Sequence, residues 1–287
     1  MNISFIGAGK VGTAFGKYLI SRDVKVSGYY SRSLASAEVA AEYTVTKAYD
    51  QLDQMILDSD IIFITTGDDQ ISDAVNEINH SQGELHLNMK TFCHMSGAHS
   101  IKLFEPLMEK GAMCYSLHPL QAFASVEKAA DELANTVFSL ECKGQPGIME
   151  RLLNQMGNGY FTIDSENKSK YHMAACVMSN YLVTLLDQGL SILDSAGVDR
   201  DIAIKGFLPL IEGSIKNVVT LGTEQALTGP IARGDGNTVK RHLEAFGSEE
   251  SEQEAFYKMM GRLTVELAQR AGKLNEEKRQ VLSEILE

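Results

Sequence analysis

The sequence predicts an α/β protein: a doubly wound parallel sheet followed by an all-helical C-terminal domain. Three observations carry that prediction. Apolar runs of strand length alternate with helical periodicity over roughly the first half of the chain. The strand signals then stop near residue 160, and helical patterns fill the remainder. A glycine-rich turn, Gly7-Ala8-Gly9-Lys10-Val11-Gly12, joins the first strand to the first helix.

The elements follow in order. Ile3-Ser4-Phe5-Ile6 is a short apolar run ending in glycine, and Val11, Ala14, Phe15, Tyr18 and Leu19 then trace one face of a helix. Residues 24–30 read as a second strand. Ile61-Ile62-Phe63-Ile64 is continuously apolar, as expected of a strand covered on both faces. Residues 91–95 and 112–117 are weaker strands, residues 137–140 a last edge strand, and residues 71–78 one of the intervening helices. Beyond them, residues 171–196 read as one long helix, followed by helices at 202–221, 238–246, 252–271 and 276–286. Gly197, Gly222, Gly229-Pro230, Gly247 and Gly272 punctuate these helices. The expected division is a dinucleotide-binding domain over residues 1–157 and a helical substrate and dimerisation domain over 158–287.

Composition narrows the function. A chain of 287 residues suits two ordinary domains of about 150 residues each. With 26 basic and 38 acidic residues the net charge is −12, which repels phosphate backbones and argues against a nucleic-acid partner. Cys93, Cys114, Cys142 and Cys176 lie far apart with no metal-ligand spacing, so they read as free thiols in a reducing, cytoplasmic compartment, and no metal is expected. The N-terminus has no basic region or cleavage site, so no signal peptide is expected. The apolar stretch 173–186 is short for a bilayer span and carries Asn180; it reads as a buried core helix, with no membrane partner.

The G-x-G-x-x-G turn sits where a dinucleotide site requires it, between a strand and an amphipathic helix. Gly7 permits the tight turn, Gly9 lets backbone approach a pyrophosphate, and Gly12 lets helix and strand pack closely. Lys10 and Val11 open the helix, whose free amides and dipole favour phosphate. The second strand ends in Tyr30-Ser31-Arg32-Ser33 without the acid that would hold an NAD ribose. Arg32 flanked by the hydroxyls of Ser31 and Ser33 suits a 2′-phosphate, so the expected cofactor is NADP.

Ligands of open α/β sheets lie outside the carboxyl ends of the strands. Those ends supply Thr65-Thr66-Gly67, Ser96-Gly97 and His118-Pro119. Histidine exchanges protons near neutral pH, so His118 is the candidate acid or base for hydride chemistry, and Ser96 a substrate contact. In the long helix, Lys168, His172 and Ser179 fall within ~40° of one another at ~100° per residue, with Asn180 beside Ser179. Polar groups on such an apolar helix need partners, which makes His172 and Asn180 site candidates. Arg233, in the loop from Thr228 to Asp235, could clamp a carboxylate.

These segments, together with Leu117-His118-Pro119-Leu120, Tyr171-His172-Met173-Ala174 and Arg233-Gly234-Asp235, resemble the Rossmann-like oxidoreductases that carry a helical C-terminal domain of unknown function. That group is related to the 6-phosphogluconate dehydrogenase C-terminal-like superfamily, and more distantly to prephenate dehydrogenases and pyrroline-5-carboxylate reductases. The resemblance implies an NADP-dependent dehydrogenase or reductase acting on a small molecule that carries a carboxylate. It also implies a homodimer and a substrate lodged between the two domains. His118 is similar in place to the catalytic histidine of prephenate and 3-hydroxyacyl-CoA dehydrogenases, and Ser96 to their substrate-contacting serine. Hydroxyisobutyrate-type dehydrogenases instead place a lysine one turn before an asparagine; here Cys176 stands one turn before Asn180, which leaves His118 as the proton donor. Two other readings remain open at this point: a non-catalytic NADP-binding sensor and a deazaflavin-linked reductase.

Overall fold

The computed structural model describes residues 1–81, 85–247 and 251–287. They divide into two compact units, Met1–Tyr181 and Leu182–Glu287.

The first unit is built on eight strands: β1 (Ile3–Ile6), β2 (Val26–Tyr30), β3 (Lys47–Tyr49), β4 (Ile61–Ile64), β5 (Thr91–His94), β6 (Met113–Pro119), β7 (Phe138–Cys142) and β8 (Tyr160–Thr162). Their order across the sheet is β3-β2-β1-β4-β5-β6-β7-β8. All neighbours run parallel except β6 and β7. The helices of this unit are α1 (Lys10–Ser21), α2 (Leu34–Thr44), α3 (Leu52–Leu57), α4 (Ile71–His80), α5 (Glu105–Met108), α6 (Val126–Glu132), α7 (Gly147–Met156) and α8 (Lys168–Met178).

Continuous apolar strands explain this layering. Side chains alternate faces along a strand. Ile3, Phe5, Ile61 and Phe63 therefore join one core with Phe15 and Phe138, while Ile6, Ile62 and Ile64 join another with Phe92 and Phe104. Each fully buried side chain of this size contributes about 1.5–3 kcal/mol relative to exposure, so both faces must be roofed by helices. The strand ends from β1 to β6 consequently share one edge, where loops are free to carry chemistry.

Several details differ from the sequence reading. The segment at 137–140 is β7, but it is antiparallel to β6 and is not the edge, because β8 pairs outside it. Both unforeseen strands, β3 and β8, are three residues long and so too short for a periodic signal. The helix expected over 171–196 is two helices, because Ser179 turns away at φ −117°, ψ −71°. The division between units falls at residue 181 rather than 157, since β8 extends the sheet and Lys168 of α8 is bonded into it.

The second unit contains α9 (Asn180–Ser195) beyond its first two residues, then α10 (Arg200–Leu221), α11 (Thr223–Ala226), α12 (Pro230–Arg233), α13 (Gly236–Glu244), α14 (Glu252–Arg270) and α15 (Glu276–Ile285). Ile231, Val239, Val265, Ala268, Leu282 and Leu286 form its core. The stretch 173–186 is not a buried core helix: Met173, Val177 and Val183 are exposed, and α9 buries none of its residues. Residues 165–195 taken together are also long and apolar enough, by length and composition, to cross a membrane.

Candidate active site

A cavity of about 280 Å³ opens at the carboxyl ends of β1, β2 and β4. The glycine turn shapes it. Gly7 sits at φ +100°, its amide donates to Tyr30 O at 2.8 Å, and a Cβ on it would lie 2.8 Å from the Thr65 backbone. Only glycine tolerates both conditions. Gly9, by contrast, faces open space where its Cβ would stand, which leaves room for a ligand to approach the backbone. Gly12 is buried, and a Cβ there would stand 2.8 Å from Gly7 O.

Most of the expected cofactor residues line this cavity: Gly7, Gly9, Ser31, Arg32, Thr65, Thr66 and Gly67. Lys10, Val11, Gly12 and Ser33 do not. Lys10 Nζ turns away to donate to Ala124 O at 2.9 Å, and Val11 packs on the core. Gly12 serves helix packing, and Ser33 caps α2 through its carbonyl, which accepts from Ser36 N at 3.0 Å. The structure adds Ser36, Gln70, Asp73 and Glu77, which α2 and the start and body of α4 bring to the cavity from positions with no sequence motif. Glu77 accepts from the Tyr30 hydroxyl at 2.8 Å. Burial, with Glu77 adding to it, pushes the Tyr30 phenol up to about 12.

The donor set fits an NADP-type nucleotide. Thr66 Oγ1 is buried in the cavity wall without a hydrogen-bond partner, the helix α1 amides at Lys10 to Gly12 have no carbonyl one turn before them, and Arg32 brings a cation.

A second cluster forms at the ends of β5 and β6. His118 Nδ1 lies 2.6 Å from the Tyr171 hydroxyl of α8. The His118 and His172 rings meet edge to face with centroids 6.1 Å apart. His172 Nε2 contacts Cys176 Sγ at 3.6 Å, while its Nδ1 is buried without a partner. Gly97 lies against both rings: a Cβ there would stand 2.6 Å from His172 Nδ1 and 2.9 Å from His118 Nε2. Ser96 Oγ accepts from the amides of Ala98 and His99 at 3.1 and 3.2 Å and so shapes the turn that carries Gly97. Burial, then Lys168, then His172 lower the His118 pKa to about 4, so the ring is neutral at physiological pH. Burial raises the Tyr171 pKa, which keeps its hydroxyl protonated.

The structure thus brings together Ser96, His118 and His172. Asn180 is exposed at the start of α9, just past the break at Ser179. Arg233 is exposed at the end of α12 in the second unit, so the first unit forms this cluster without it. Tyr171 is the residue that sequence reasoning missed. It stood beside His172 in a quoted segment, but nothing local in sequence pairs it with a histidine 53 positions earlier.

Gly97 offers a direct test of the cluster. Gly97→Ala is expected to lower turnover by more than about 10-fold, by displacing two rings held on their far sides, while nucleotide affinity stays within about twofold. Steady-state kinetics beside a binding titration check this.

Residues 1–119 match the model of a Rossmann-like domain, and residues 136–264 match that of DUF2520, a domain of unknown function. The chain joins a Rossmann-like domain to a DUF2520 domain. The DUF2520 match starts just before β7 and takes in β7, β8 and α8, so Tyr171 and His172 fall in it while Ser96 and His118 belong to the Rossmann-like part. No curated protein matches the chain in sequence. Among solved structures, a protein of Thermotoga maritima is 26% identical, with TM-score 0.71 over 93% of this chain and 98% of that one. A reductive aminase of Aspergillus terreus in complex with NADPH and ethyl-5-oxohexanoate is 12% identical, with TM-score 0.62 over 99% and 92%. A pyrroline-5-carboxylate reductase of Coxiella burnetii is 14% identical, with TM-score 0.60 over 96% and 98%.

Proposed function

We propose that this protein is an NADP-dependent oxidoreductase that reduces or oxidises a small molecule at a carbonyl or imine carbon. The observation that carries the reading is the nucleotide cavity: Arg32 and Ser31 line it, the end of β2 bears no acid, and it opens on the same strand-end edge as the His118 cluster. The similar folds of a reductive aminase solved with NADPH and ethyl-5-oxohexanoate and of a pyrroline-5-carboxylate reductase support the choice of substrate class.

NADPH, when bound, supplies the hydride; the protein must orient the substrate and stabilise the charge that develops on it. A neutral His118 has one N–H. In the tautomer this reading requires, Nδ1 accepts from the Tyr171 hydroxyl and the proton stands on Nε2, beside Gly97. Nε2–H then donates a hydrogen bond to the substrate oxygen or nitrogen as negative charge develops there, and solvent delivers the proton that completes the reduction. His172 Nδ1, buried and unpartnered, is a second group available to the substrate. The reading places the protein in a reducing compartment, where the four cysteines stay as the free thiols seen here. It also makes the protein a homodimer, in which a second copy covers exposed apolar side chains of α9 and α10 such as Val183, Leu210 and Val219.

Arg32→Ala tests the nucleotide assignment. Loss of a charge-assisted hydrogen bond of about 1.5–3 kcal/mol should weaken NADPH binding about 10- to 100-fold and leave NADH binding unchanged. Isothermal titration with both nucleotides reads this directly. A wild-type protein that binds neither nucleotide, or both equally, overturns the proposal.

A further inference from the structure

We propose that Lys168 and Glu141 are a buried positioning pair, which holds both ends of the turn at residues 96–101 against the His118 and His172 rings and sets a fixed positive charge beside them. The proposal rests on the reading of neutral His118 as hydrogen-bond donor to the substrate for its meaning in catalysis, but its geometry stands without it.

Lys168 is 1% exposed and Glu141 2%. Ions this deeply buried cost several kcal/mol each unless paired and hydrogen-bonded, so they persist only where the surroundings fix them. Here the surroundings are the active-site turn itself. Lys168 Nζ donates to Ser116 Oγ at 2.7 Å, and Ser116 Oγ donates to Ser96 O at 3.4 Å, which ties down the start of the turn. Glu141 Oε1 accepts from Ser100 Oγ at 2.8 Å and Ile101 N at 3.1 Å, which ties down its end. The same oxygen accepts from Ser165 Oγ at 2.6 Å, just before α8, the helix that carries Tyr171 and His172. The two ions face each other at 3.8 Å. One carboxylate therefore fixes the turn and the approach to the helix, while one ammonium fixes the strand end between them. Gly97, in the middle of the clamped turn, is the point of contact with both rings.

The charge has a second consequence. The ionisable groups that act on His118 are Lys168, His172 and Tyr171 from α8, and Asp68 from the segment after β4. His94 and Cys93 of β5 feel Lys168 as well; burial lowers the Lys168 pKa, and Glu141 of β7 pushes back to keep it charged. After burial, Lys168 is the largest influence that keeps the His118 ring neutral. A cation lowers the pKa of a neighbouring imidazole, so removing this one must raise it.

The test is an NMR titration of ¹³C-histidine-labelled full-length protein without cofactor or substrate, with the His118 signal assigned by its loss in His118→Gln. In K168M/E141Q, which removes both charges and keeps a side-chain carbonyl at position 141 as acceptor, the His118 midpoint should rise by about one pH unit, a tenfold change in proton affinity. In Lys168→Met alone, which removes the cation and leaves Glu141, the midpoint should rise as well. Either variant that keeps a cooperative thermal transition suffices, and both should move the midpoint up. A midpoint that does not move in folded K168M/E141Q overturns the proposal. Because the measurement needs no turnover, it can fail while the oxidoreductase reading stands, or succeed while that reading falls.

Discussion

His118→Gln is expected to lower turnover about 100-fold or more and to leave NADPH affinity within about twofold, because a hydrogen-bond donor at a developing charge contributes roughly 10²–10³ and the ring does not line the nucleotide cavity. The paired substitution Tyr171→Phe keeps the ring and removes the hydroxyl that sits 2.6 Å from Nδ1. It should cost about 10-fold, the smaller effect, since it frees the tautomer without deleting the donor. Measuring kcat and KM separately distinguishes the roles: a loss confined to kcat marks groups that act in the transition state. Turnover undiminished in His118→Gln removes this residue from the mechanism. The acid side of the pH profile follows from the same group. With its pKa held down to about 4, the ring stays neutral throughout the ordinary range, so activity in the direction of reduction should not fall between about pH 8 and pH 6 on account of His118.

Gly7→Ala is expected to abolish measurable nucleotide binding and also to destabilise the fold. The residue sits at φ +100°, which an L side chain adopts at a cost of about 1–2 kcal/mol, and its Cβ would press within 2.8 Å of the Thr65 carbonyl carbon and Thr66 nitrogen. These are backbone atoms of the β4 end, so neither can rotate away. Overpacking of this kind adds about 1–3 kcal/mol, and the sum corresponds to a thermal midpoint lower by roughly 10 °C. Gly9→Ala separates the two effects. Gly9 has ordinary backbone and no atom within 4 Å of the added Cβ, so the thermal midpoint should stay close to the wild type. The methyl group instead occupies the space through which a phosphate reaches the backbone, and affinity falls alone. Loss of stability in Gly9→Ala, or unchanged binding in both variants, contradicts this account of the turn.

The sequence by itself determined the sheet and the glycine turn that shapes the cavity proposed for the nucleotide. Ile61-Ile62-Phe63-Ile64 is apolar on both faces, and Gly7 to Gly12 follows a strand and opens a helix; both are local patterns, readable because period and spacing survive in one dimension. Arg32 was legible for the same reason, as the residue standing where an acid is absent. Only the tertiary structure decided which polar groups meet. Tyr171 finds His118 across 53 residues, Lys168 finds Ser116 across 52, and Glu141 reaches Ser100 across 41, with no motif to announce any of them. It also decided that the long helical stretch breaks at Ser179, so that Asn180 opens a separate helix. The physical reason is the cost of burying charge and polar groups, which is met by partners brought together in folding rather than by neighbours along the chain.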